Sequence, residues 1–143
     1  MSCDAAFMTT ARELSSRLAE FLRHEHRALA DFLVSLADFD QRRLWAELGH
    51  ANLFSYLTRD LGLSNGAAAY RKTAAELAGR YPEVTEALRR GDLCITSVVA
   101  LAKVITPENR AQVLPRFFRL SKREAAEVVA ELKPDEAPPS ASS

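Results

Sequence analysis

Apolar residues recur near the N-terminus at Leu14, Leu18, Leu22, Leu29, Leu33 and Leu36, with Phe21 and Phe32 beside them. These are three- and four-residue steps, or their sum, which is the period of one helix face. Thr10-Ala-Arg-Glu13 reads as a capping box that opens this helix, which the spacing carries to about Ala37. At 1.5 Å per residue such a helix is roughly 40 Å long, more than a small domain needs. Asp38 or Asp40 is expected to cap a short helix holding Leu44, Trp45 and Leu48, stopped by Gly49. Asn52 then caps a helix that Gly62 ends, and Ser64 caps one reaching Gly79. Pro82 suits the first position of the next helix, with Gly91 just past its end. Thr96 is expected to open an apolar helix over 98–105, and Thr106-Pro107-Glu108 another. Ser121-Lys-Arg-Glu124 is a second capping box, for a helix to about Leu132. No alternating strand pattern survives, and no internal repeat is evident.

The predicted fold is all-α: a multi-helix bundle with a long N-terminal helix and a helix-turn-helix-like unit. Its expected organisation is an arm over 1–8, one domain over 9–132 and a disordered tail over 133–143, where PDEAPPSASS cannot bury a core. Composition agrees, since Ala, Leu, Glu and Arg dominate and 48% of the 143 residues are hydrophobic, enough for a core.

The formal net charge is zero, so bulk charge neither demands nor excludes a polyanion. Its distribution is uneven. Residues 1–40 hold seven acids and four bases, whereas 110–124 hold five bases (Arg110, Arg116, Arg119, Lys122, Arg123) against Glu124. An anionic partner on one side fits that asymmetry. Cys3 and Cys94 form no CxxC pair, which suits a reducing compartment. The N-terminus lacks a basic region followed by an apolar run, and no stretch approaches the ~20 apolar residues of a membrane span. A cytoplasmic setting without membrane contact is the expectation.

Candidate chemistry is sparse. His24 and His26 are two apart on one helix, point to different sides and cannot share a metal. His26 falls on the apolar stripe and reads as a partly buried structural residue. His50-Ala51-Asn52 repeats a fragment of a nuclease motif, but a loop and a helix cap account for it. Zinc spacings, GxGxxG, a phosphate-binding loop and GxSxG are all absent. Cys94, in an apolar stretch, is expected to be buried. No catalytic residue, metal ligand or cofactor is expected.

Two segments have the chemistry to meet nucleic acid. Residues 53–77 read as helix, Gly62 turn and second helix, the arithmetic of a helix-turn-helix. Its face would offer Asn65, Tyr70, Arg71 and Lys72 to phosphates and base edges. The bland reading is a helix corner, with Ala67-Ala68-Ala69 allowing close packing. The second segment, PRFFRLSKR over 115–123, interleaves Phe117 and Phe118 with Arg116, Arg119, Lys122 and Arg123, as a phosphate-tracking surface would. Against that, the rings are equally suited to a core and the bases to a solvated face.

These segments carry a resemblance. The Ser-Asn-Gly-Ala-Ala-x-x-Arg helix over 64–71, the Ala-rich unit over 74–84, ALRRGDLCIT over 87–96, Thr-Pro-Glu-Asn over 106–109 and Ser-Lys-Arg-Glu over 121–124 occur in order. Together they resemble the helical region ahead of the HNH nuclease domain in many bacterial HNH endonuclease-like proteins. The helix-turn-helix part is also similar, more loosely, to the DNA-binding region of ParB-type partition proteins. The resemblance covers about 80 residues, 53–134. It implies a non-catalytic module contributing DNA binding or positioning, with double-stranded DNA as partner. The nuclease's histidine–asparagine–histidine unit has no counterpart here, so no catalytic residue carries over. The alternative is a protein–protein interaction module without nucleic-acid contact, a homodimer through Leu18, Leu22, Leu29 and Leu33 being its simplest form.

Overall fold

Helix α1 spans Cys3–Gln41, 39 residues without a break, and its length organises the fold. The computed structural model describes residues 3–133, with side chains from 10 onward. The tail expected beyond Lys133 lies outside the described residues. After α1 come α2 (Leu44–Glu47), α3 (Leu53–Arg59), α4 (Asn65–Arg80), α5 (Pro82–Arg90) and α6 (Ile95–Leu101). Helix α7 (Arg110–Val113) runs into a 3-10 turn, Leu114–Phe117, and α8 (Lys122–Leu132) closes the described chain. No strand occurs among the described residues, so the fold is all-α and multi-helix.

Helix α4 is the centre. It packs against α1, α3, α5 and α6. Ala68, Ala74, Ala75, Leu77 and Ala78 are its buried positions, and these mostly small side chains let neighbouring backbones come close. Gly79 shows how close: a Cβ there would lie 3.4 Å from the Cβ of Ala37. Helix α6 joins this group to α8, and Phe117 is buried at the second group's centre with Val113, Leu114 and Ala125. From α1 the core receives Ala30, Leu33 and Leu36 as buried residues, with Leu29, Phe32, Ala37 and Phe39 partly buried against it.

Most predicted caps are present. Asn52 accepts the Ser55 N–H at 2.8 Å, and Ser64 accepts the Ala67 N–H at 3.2 Å. Pro82 opens α5, and Gly91 follows it with φ +87°. Ser121 and Glu124 complete a reciprocal capping box. Asn52, Ser64 and the Ser121–Glu124 box satisfy orphan backbone groups from within their own turns, and Pro82 removes one orphan by having no N–H.

Four boundaries differ from the sequence expectation. Thr10 opens nothing, because α1 already begins at Cys3. No Gly or Pro interrupts residues 3–10, so nothing stops propagation through the box. Asp38 and Asp40 lie in the last turns of α1 rather than capping α2. Asp40 instead accepts the Trp45 indole N–H at 2.8 Å, and Arg43 precedes α2 in the left-handed region (φ 53°). Helix α6 starts at Ile95, with Thr96 inside it. Thr106 to Asn109 closes as a turn before α7: Asn109 accepts the Thr106 N–H at 2.8 Å, and its amide donates to the Val104 carbonyl at 3.0 Å. The polar groups meant for a helix start are consumed there.

Two expectations about exposure are also corrected. Leu33, read as an interface residue, is fully buried in its own core, and Leu29 is half-buried against that core. Cys94 is exposed, because it sits at the corner that leads into α6.

Candidate nucleic-acid interface

Helices α3 and α4 are joined by a short corner over 60–64. Leu53 and Leu57 point α3 into the core. Tyr56 stacks on Phe39 of α1, ring centres 4.5 Å apart, which ties α3 to the long helix. Gly62, with φ +75°, reverses the chain, and the Leu63 N–H reaches back to the Leu57 carbonyl at 3.1 Å. A side chain would be strained at that left-handed glycine. His50 reinforces the corner, its Nε2 lying 3.2 Å from Asp60 Oδ1 and its ring edge-on to Tyr56. Nothing in the sequence flagged this pair, because its two members are loop residues on opposite sides of α3.

Helix α4 presents its first turn outward. Asn65, Gly66 and Ala69 are exposed, while positions 74, 75, 77 and 78 are core. Tyr70, Arg71 and Lys72 are half-buried. The Arg71 guanidinium lies back along its own helix, 3.4 Å from the Ala67 carbonyl, which places it toward that first turn. Lys72 pairs with Glu76 at 3.1 Å, an i, i+4 partner legible in the sequence. The unit therefore brings Asn65 and Arg71 to one end of α4 and engages Lys72 elsewhere on the same helix.

The basic stretch is largely neutralised within the chain. Arg110 pairs with Glu83 at 3.3 Å and lies over the Tyr81 ring. Arg116 pairs with Glu131, Arg119 with Asp92 at 3.1 Å, and Arg123 with Glu127 at 3.5 Å. Lys122 alone of these five bases has no ion pair among the described residues. Phe117 is fully buried and Phe118 half-buried and packed on the core, so the rings anchor the stretch instead of offering a stacking surface. Apart from Asp92, which is mostly buried, the paired side chains are exposed, and exposed pairs are worth only ~0–1 kcal/mol, so a phosphate can displace Glu83, Glu127 or Glu131 at little cost.

His26 is partly buried and packs against Gly91, as its place on the stripe implied. His24 is exposed, 3.8 Å from Glu20. Burial pushes the Cys94 thiol up, but hydrogen bonds with Ser97 and Thr96 outweigh it and hold the thiol below its usual range. Among the described residues no three His, Cys, Asp or Glu side chains are grouped to hold a metal ion. No described helix is long and apolar enough to cross a membrane.

Compared with known proteins, the chain matches no protein-family model, no curated protein and no solved structure. Its class rests on its own fold, an all-α multi-helix bundle with an extended first helix.

Proposed function

We propose that this chain is a non-catalytic helical module that binds or positions double-stranded DNA for an HNH endonuclease-like protein. The observation that carries this reading is the way α4 is held. Its middle is buried among four helices, while Asn65 and Gly66 at its start, and Ala69 one turn on, are exposed. A recognition helix works in that manner, reading base edges with N-terminal residues that a rigid body presents. The same turn carries unsatisfied backbone N–H groups and the positive end of the helix dipole, which favour phosphate. The ordered motifs shared with HNH-associated helical regions support the reading.

Binding to a duplex followed across a salt series tests it. If about three phosphates are contacted, affinity should fall a few hundredfold for each tenfold rise in salt. Absence of binding even at about 50 mM salt would remove the proposal. Arg71→Ala should weaken binding several-fold and cost no more than about 1 kcal/mol of stability.

Asn65→Glu separates DNA contact from a purely structural role. A carboxylate in the first turn should stabilise α4 by about 0.3–1 kcal/mol, because it complements the helix dipole. Facing phosphates, the same charge should cost at least tenfold in DNA affinity. A variant that is more stable and binds equally well would show that this turn does not face DNA.

A further inference from the structure

We propose that the projecting part of α1 pairs antiparallel with the same segment of a second copy, making the protein a two-fold dimer. This does not depend on the DNA reading. Every residue from 10 to 25 is exposed, and the first contact with the bundle comes at His26, which packs on Gly91. Helix α1 therefore extends about 35 Å beyond the body that it enters. One face of that extension is apolar: Leu14, Leu18, Phe21 and Leu22 are 48%, 68%, 57% and 51% exposed. Helices in proteins draw most of their stability from packing an amphipathic face, so an apolar face left bare over this length calls for a partner.

Three observations select a second copy. The first is continuity. The stripe at 14, 18 and 22 runs in phase into Leu29, Leu33 and Leu36, which enter the core. The projecting stripe is core-type surface for which one chain supplies no cover. The second is area. The four exposed side chains offer roughly 450 Å² per copy, and with the flanking Ala11, Ser15, Ala19 and the Arg17 stem two copies would bury about 1,200 Å², the lower bound of stable interfaces. The third is charge. Residues 10–17 carry Arg12, Arg17 and Glu13, while residues 18–25 carry Glu20, Glu25 and Arg23. The first half is net positive and the second net negative, so an antiparallel pair sets opposite signs together twice. Glu25 also continues the apolar register, four residues after Phe21. A parallel pair would place two Glu25 carboxylates face to face, which antiparallel pairing avoids.

Sedimentation equilibrium of the whole chain tests the dimer. The expected mass is twice 15.8 kDa. Leu18→Glu should halve that mass while the bundle keeps its melting temperature, because Leu18 touches no core residue. A wild-type monomer at high micromolar concentration, a larger oligomer, an unfolded Leu18→Glu variant or one that stays dimeric would each overturn the proposal. Orientation is read from spin labels at Glu25→Cys in a Cys3→Ser, Cys94→Ser chain. Labels more than about 20 Å apart are expected for an antiparallel pair, whereas about 10 Å would mean parallel arms.

Discussion

Replacing Gly91 by alanine should destabilise the bundle by about 2–5 kcal/mol. Two separate costs add at this position. Gly91 adopts φ +87° at the end of α5, a conformation that costs an L-residue roughly 1–2 kcal/mol. A Cβ there would also lie 2.6 Å and 2.7 Å from the Cε1 and Nδ1 atoms of His26. That ring is where α1 first meets the bundle, so relieving the overlap shifts the long helix or forces the ring from its place. Crowding of this kind costs about 1–3 kcal/mol. The two costs can be told apart. His26→Ala combined with Gly91→Ala should recover the steric part and leave only the backbone part. Urea unfolding of the two single variants and the double variant measures the coupling. A loss below 0.5 kcal/mol for Gly91→Ala alone would mean that His26 moves aside without cost.

Phe117→Ala should cost about 3–5 kcal/mol, the range for deleting a buried aromatic ring. Phe117 is the largest fully buried side chain, held in the 3-10 turn between α7 and α8. Its removal leaves a cavity that Val113, Leu114 and Ala125 cannot fill, because short helices on either side fix them. Phe118→Ala should cost distinctly less, since that ring is only half-buried. Thermal or urea unfolding ranks the two. Equal stability of Phe117→Ala and the wild type, together with lost nucleic-acid binding, would instead mark Phe117 as an exposed stacking residue.

Local chemistry was legible in this chain. Asn52, Ser64, Pro82, Gly91 and the Ser121–Glu124 box act within one turn of backbone, so residue type and spacing suffice to find them. The helices between these signals follow from apolar period for the same reason. The candidate DNA-facing turn was partly legible: Asn65 follows a cap and is exposed, and Lys72 had a visible i, i+4 partner in Glu76. The Thr10 box shows the limit of local reading, since an equally good pattern lies inside a helix that nothing interrupts instead of opening one.

Only the tertiary structure decided which surfaces are covered. Leu18 and Leu33 belong to one stripe with one spacing, yet the first is exposed and the second fully buried. Period reports that a face is apolar, not where the other helices stop, and here they stop at His26. The basic stretch is similar. Its bases are visible in sequence, but Glu83 and Asp92, which neutralise Arg110 and Arg119, arrive from elements that folding alone brings alongside. Cys94 sits in an apolar run but at a corner, and a corner's direction depends on how α5 and α6 pack rather than on the residues beside it.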